Sequence, residues 1–309
     1  MPISGSRGWR VLQWGVFLCV LVTLATIITH YSGELISLRF DFEYLIPLLF
    51  VSLLCILFRA LLIGEVAAYF DIALRLGETL GLTVVSTTLS ETLPMSAGTL
   101  IKPSYLWRVY RLNVSKSIAM VVAGSNMVTA GSALLAIAGL IWVGWGLSWL
   151  TGLFAALLAL STLPFFVYPR LLATRLRPRF EQIFSAWRQI HGDAGRSRRA
   201  LAISVALCTF DALRFWLAFL LIGTDFSFAG ALIISGTSLF VGHFGIVPGA
   251  LGFIEGSVAG VSLLLGYPAL NALAATLVFR ASILLFTVPA TPFFYFSLMK
   301  AIRQQPSTR

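Results

Sequence analysis

Long apolar runs separated by short polar segments dominate the hydrophobic pattern of this chain. Several runs continue for about twenty residues, the length of a helix that crosses the hydrocarbon core of a bilayer. The pattern predicts spanning α-helices rather than spanning strands, because strands would alternate apolar and polar positions. Six full spans are predicted, at about residues 11–28, 45–63, 118–143, 150–168, 200–222 and 270–299.

Two further apolar segments are interrupted by glycine and proline. The first contains LPMSAG at residues 93–98, and the second contains GHFGIVPGALGFIEG at residues 242–256. Neither can be a continuous spanning helix, because its broken backbone needs hydrogen-bond partners that lipid does not offer. We expect two broken or re-entrant elements that line a protected cavity, as in many transporters.

Charged residues at helical spacing mark residues 65–82, with Asp71, Arg75 and Glu78 in the middle. This segment is too charged to cross lipid, so we expect a helix lying at the membrane surface. Residues 169–199 are more polar still and carry eight arginines. The positive-inside rule places this segment and both termini in the cytoplasm. The chain is thus predicted to be one membrane domain, with a first half at 1–168, a basic linker at 169–199 and a second half at 200–309.

The predicted crossings make the two broken elements enter the membrane from opposite faces, the first from the cytoplasmic side. Opposite entry is what an inverted repeat predicts. The elements also share a P-x-x-x-G spacing followed by a charged residue. The first contains Pro94, Gly98 and Lys102, and the second contains Pro248, Gly252 and Glu255.

Composition agrees with a membrane protein, since 58% of the 309 residues are hydrophobic and only 11% are charged. The net charge of +10 could suggest a nucleic-acid partner. However, the arginines collect in short loops beside apolar runs, where membrane topology and anionic headgroups account for them. We therefore expect no nucleic-acid partner. No metal-binding or nucleotide-binding motif is present, and we expect neither a metal nor a cofactor.

Ionisable residues inside the apolar segments are the candidate site residues, because each is costly in lipid and needs a partner or water. Glu255 could bind a cationic or hydroxyl-rich headgroup, or it could pair with Arg280. Arg280 could hold a phosphate through its planar fork of donors, or it could serve only in that ion pair. Glu91 and Lys102 flank the first break, where they could act on substrate or anchor the element at the interface.

Three other charged or titratable residues have simpler interpretations. Asp211 and Arg214 are three residues apart on one helix, which favours a structural ion pair. Arg59 lies near the end of its span and is expected to reach the interface. His243 precedes the second break and is expected to have a hydrogen-bonded structural role.

Three motifs carry a resemblance to a known family. They are PGALGFIEG, which contains Pro248, Gly249 and Gly252, GYPALNALAATLVFR at 266–280, and LPMSAGTLIKPSYL at 93–106. The chain resembles the flippase-like transmembrane region of bacterial lysylphosphatidylglycerol synthases. No soluble aminoacyl-transfer domain accompanies it in the sequence, so a stand-alone member is expected.

The resemblance implies a protein that moves a lipid between leaflets of the bacterial inner membrane. We expect the lipid to be an anionic phospholipid or a polyprenyl-phosphate-linked glycan. The family's usual acidic residue and arginine are replaced here by Thr99 and Lys102, and its Glu-Arg pair by Ser125 and Asn126, which argues against carrying over the aminoacylated substrate.

Two alternative functions remain at this point. The protein could be a non-catalytic accessory subunit of a membrane glycosyltransferase or lipid synthase, since stand-alone relatives accompany such pathways. It could also be an intramembrane lipid-modifying enzyme, with Glu255 and His243 as the conceivable acid and base. We expect a transporter, not an enzyme.

Overall fold

The computed structural model describes residues 39–92, 97–144, 149–162, 194–242 and 250–304. These residues form α-helices without any strand, apart from a short 3-10 helix at Phe42–Tyr44. The helices are α1 (Leu45–Ala68), α2 (Leu76–Thr92), α3 (Ala97–Tyr110), α4 (Val114–Trp142), α5 (Trp149–Thr162), α6 (Ala194–Leu221), α7 (Phe228–Gly242), α8 (Phe253–Leu264) and α9 (Ala269–Gln304).

Four of these helices, α1, α4, α6 and α9, are long and apolar enough to cross a membrane. They correspond to four of the six predicted spans, and the predicted all-α polytopic architecture is confirmed. The predicted span at 11–28 lies outside the described residues. The predicted span at 150–168 is described only as far as residue 162, within α5.

The prediction of a surface helix at residues 65–82 is wrong. The segment contains the end of α1, a turn in which Asp71 has a φ of 57°, and the start of α2. Glu78 accepts hydrogen bonds from the hydroxyls of Tyr105 at 2.6 Å and Tyr110 at 2.9 Å. The charges therefore belong to a turn that α3 partly covers, rather than to the polar face of an interfacial helix.

Helices α1 and α6 pack antiparallel at the centre of the protein. The Asp41 N–H donates to the Leu221 carbonyl at one end, at 2.9 Å. At the other end Arg196 Nη1 donates to the Ala68 carbonyl at 2.8 Å. Between these ends the contact is mostly apolar, apart from the polar network described below.

The two broken elements are helical hairpins, α2–α3 and α7–α8, and each packs against a long helix of the other half. Hairpin α2–α3 lies on α9, where Gly81 faces the side chain of Leu298. Hairpin α7–α8 lies on α4, where a Cβ at Gly139 would come within 2.7 Å of the Ala229 carbonyl oxygen. Glycine at position 139 therefore permits close packing between the halves.

The hairpins enter from opposite ends of α9. Helix α2 begins beside the C-terminal part of α9, near Leu298, and continues past a hydrogen bond of 2.8 Å between the hydroxyls of Thr88 and Thr291. Helix α8 ends where α9 begins, at the turn that joins Leu264 to Ala269. The interrupted ends of both hairpins meet at Arg280 of α9, which contacts Glu91 of α2 and Glu255 of α8.

Candidate functional site

A cavity of about 630 Å³ lies where the two hairpins meet. Its wall includes hydroxyl groups from α2, α4 and α7, contributed by Thr83, Ser86, Thr87, Ser90, Ser125 and Ser238. Five charged residues also line it, namely Arg59, Glu91, Lys102, Asp211 and Arg280. The cavity thus combines hydroxyl and charged groups with apolar side chains such as Leu62, Met120 and Phe279.

Arg280 joins the two hairpins to α9. Its Nη1 lies 2.5 Å from Oε2 of Glu91, in the last turn of α2. Its Nε lies 2.8 Å from Oε1 of Glu255, in the first turn of α8. The Nε–H is poorly aligned with that oxygen, so the second contact is an ion pair by distance rather than a well-formed hydrogen bond.

Glu255 is fixed at the start of α8. Its side chain is 2% exposed, and its Oε2 accepts a hydrogen bond of 2.7 Å from the Gly252 N–H. Gly252 has a φ of 82°, a conformation that glycine adopts without steric cost. A carboxylate in the first turn also interacts favourably with the helix dipole. Of the two sequence-based interpretations of Glu255, the structure contains the ion pair with Arg280.

Lys102 projects from α3 to the same cavity. Within the described part of the chain, no carboxylate lies within ion-pair distance of its ammonium group. Arg59 is close enough for the two positive charges to interact. Lys102 is therefore a cation at the cavity wall without a carboxylate partner among the described residues. The structure places Lys102 and Glu91 in the wall of this cavity.

Asp211 and Arg214 form an ion pair with 2.7 Å between Oδ1 and Nη1, as their spacing predicts. Arg214 is completely buried and makes three further hydrogen bonds, to Ser52 Oγ, the Phe279 carbonyl and Ser282 Oγ. Its guanidinium also lies 4.0 Å from the centroid of the Phe279 ring. This network holds α1, α6 and α9 together and requires no ligand.

The expectation that Arg59 reaches the membrane interface is wrong. Its Nη2 lies 3.1 Å from Oδ2 of Asp211, and its side chain is 29% exposed at the cavity. The physical reason is that the Asp211 carboxylate is buried and attracts a second guanidinium. Arg59 thus connects the structural network to the cavity.

Glycine also sets the packing of the first hairpin. A Cβ at Gly98 would lie 2.0 Å from the Ser86 carbonyl oxygen, so only glycine lets α3 approach α2 at this point. Gly98 is itself part of the cavity wall. The remaining predicted residues, Pro94, Pro248 and Gly249, lie outside the described residues, as does His243.

The hydroxyl-rich wall of α2 is not among the features predicted from the sequence. Ser86, Thr87 and Ser90 all line the cavity. The hydrophobic pattern of their segment predicts only a short, interrupted apolar run. The available signal was the unusual number of serine and threonine residues in residues 83–92. The position of Arg59 at the cavity was not predicted either, although the sequence shows this charge within an apolar run.

Comparison with known proteins supports the family suggested by the motifs. The family model described as "Lysylphosphatidylglycerol synthase TM region" matches residues 16–290, which include both hairpins and the residues around the cavity. Among curated proteins, none matches the chain. This family links the chain to a membrane and to lipid synthesis or flipping. The chain belongs to the lysylphosphatidylglycerol synthase TM region family.

Proposed function

We propose that the protein moves an anionic lipid between the leaflets of the bacterial inner membrane, with both termini in the cytoplasm. The lipid is a phospholipid or a polyprenyl-phosphate-linked glycan. The observation that carries this proposal is the cavity of about 630 Å³ at the meeting point of two oppositely entering hairpins, with three cationic side chains in its wall. Family membership supports a function linked to lipid synthesis or flipping.

The cavity addresses the main physical barrier to this movement. A charged headgroup that enters bare hydrocarbon loses its hydration at a large cost in free energy. The hydroxyls of Ser86, Thr87 and Ser90 can replace part of that hydration, while the lipid tails remain outside in the bilayer. The volume lies within the range of pockets that hold small ligands, about 300–1,000 Å³.

The cations give the cavity its preference for anions. Lys102 offers a point charge, whereas Arg280 offers a planar fork of donors that suits phosphate oxygens. Arg59 adds a third positive charge beside Asp211. We propose that the headgroup phosphate binds between Lys102 and Arg280, and that the lipid leaves the protein chemically unchanged.

A leaflet-resolved assay tests the proposal. Purified protein would be reconstituted in vesicles containing fluorescent phosphatidylglycerol, and the fraction of dye in each leaflet would be followed over time. We expect the wild-type protein to move the dye between leaflets without altering the mass of the lipid. Absence of movement would favour the accessory-subunit function, and a changed lipid mass would favour an enzyme.

The Lys102→Gln variant sharpens this assay. We expect transport to fall about tenfold, since one charged contact with the phosphate is lost. Lys116→Gln provides a matched control, because Lys116 is an exposed lysine at the start of α4. Equal transport by the two variants would contradict the role of Lys102.

A further inference from the structure

Arg280 is shared by two carboxylates whose surroundings differ. Glu255 is 2% exposed and is also held by the Gly252 N–H, at the first turn of α8. Glu91 is 25% exposed and lines the cavity, at the last turn of α2. One partner is therefore fixed in the protein interior, whereas the other borders the space that a ligand would fill.

The charges of this cluster do not balance. One guanidinium faces two carboxylates, so Arg280, Glu91 and Glu255 together carry a net charge of −1 when all three are ionised. An anionic headgroup that approached Arg280 would be repelled by the second carboxylate. The Nη1 group of Arg280 also already donates a hydrogen bond to Glu91. A phosphate that took over the Nη1 position would therefore have to displace Glu91.

We propose that Glu91 occupies, at Arg280, the position that the lipid phosphate takes during binding. A phosphodiester headgroup then displaces Glu91 from Arg280. This inference rests on the proposed function and names Glu91 as the group that competes with the phosphate for Arg280. Phosphate oxygens can accept from the same guanidinium donors as a carboxylate. Arg59 lies within electrostatic reach of Glu91 and borders the same cavity, so it provides a cation for the displaced side chain.

Displacement has a structural consequence for the first hairpin. The contact between Glu91 and Arg280 joins the end of α2 to α9, next to the hydrogen bond between Thr88 and Thr291. The second hairpin keeps its own contact through Glu255. Binding of the headgroup therefore loosens the end of α2 from α9 and leaves α8 in place.

Two matched variants test the displacement in the full chain purified in detergent. Glu91→Gln and Glu255→Gln each remove one negative charge beside Arg280. We expect Glu91→Gln to bind short-chain phosphatidylglycerol about tenfold more tightly than the wild type, because a charged competitor is removed. Glu255→Gln should gain less affinity, because Glu255 contacts Nε rather than the Nη1 donor that the phosphate would take over. Unchanged or weaker binding by Glu91→Gln would overturn the proposal.

A second measurement reports on α2 without altering either carboxylate. Cysteines at positions 88 and 291, in a variant without the native cysteines, should form a disulfide readily, because the two hydroxyl oxygens are 2.8 Å apart. We expect short-chain phosphatidylglycerol to slow this reaction, and short-chain phosphatidylcholine or inorganic phosphate to have a smaller effect. A rate that phosphatidylglycerol leaves unchanged would contradict the displacement. Slowing by inorganic phosphate to the same extent would overturn the requirement for a lipid headgroup.

The displacement and the proposed function can fail separately. Tighter binding by Glu91→Gln together with a wild-type protein that moves no lipid would support the displacement and contradict transport. Transport by the wild type together with unchanged binding by Glu91→Gln would contradict the displacement alone.

Discussion

Two buried arginines, Arg214 and Arg280, show how differently one side chain can be used within a membrane protein. Arg214 is completely buried and bonds to Ser52, Asp211 and Ser282, as well as to a backbone carbonyl. Arg280 borders the cavity and faces two carboxylates. The first arrangement is satisfied within the protein. The second pairs with two carboxylates beside an open space.

The difference follows from the helices that each arginine joins. Arg214 connects α1, α6 and α9, which are continuous helices, so its partners are fixed by extensive packing. Arg280 connects α9 to the ends of two interrupted hairpins. Glu91 is 25% exposed and lines the cavity, so we expect this partner to be exchanged more readily than the buried partners of Arg214. This comparison indicates a structural role for Arg214 and agrees with the proposed role of Arg280 in substrate binding.

The largest expected effect is on stability, from Arg214→Ala. Removing this guanidinium leaves Asp211 with Arg59 alone and should destabilise the protein by about 3–5 kcal/mol, as for other broken buried ion pairs. Thermal unfolding in detergent, beside Lys116→Ala as a surface control, would measure the effect. Melting temperatures that agree for the two variants would contradict the structural role of Arg214.

A more selective effect is expected from Arg280→Lys. Lysine keeps the positive charge but loses the planar fork, so transport should fall about tenfold, the order expected for one lost charged hydrogen bond. The melting temperature should change less than it does in Arg214→Ala, because lysine can still pair with one carboxylate. Full transport activity in this variant would argue that charge alone is sufficient at position 280.

The smallest effect is expected from Ser282→Ala. This change removes two hydrogen bonds between helices, from Arg214 and from Ser52 to the Ser282 hydroxyl, and should cost about 1–2 kcal/mol at about 1 kcal/mol or less for each. Transport should remain at the wild-type level when measured below the melting temperature. A large loss of transport with intact stability would instead connect the Arg214 network to the substrate.

Local sequence patterns predicted the parts of this protein that depend on neighbouring residues. The apolar runs predicted the long helices, and the glycine and proline interruptions predicted the two hairpins. Asp211 and Arg214 lie three positions apart on one helix, so their pairing was also predictable. The sequence also suggested that Glu255 pairs with Arg280, because Glu255 lies in the second broken segment and Arg280 lies in the helix that follows it.

Contacts that depend on tertiary packing were not predictable in the same way. Arg59 and Asp211 are 152 positions apart, and Glu91 and Arg280 are 189 positions apart. No local spacing indicates either pair. Residues 65–82 were misassigned for a similar reason, because the tyrosine that completes the environment of Glu78 lies 32 positions away, at Tyr110.

Each hairpin packs against a long helix of the other half, and this arrangement affects how the protein can be assembled. Hairpin α2–α3 rests on α9, and hairpin α7–α8 rests on α4, so each half completes the other. A fragment that contained only one half would keep the contacts of its hairpin within that half but would lose those with the long helix of the other half. We therefore expect each half to be less stable alone, and two separately expressed fragments to gain stability when they associate.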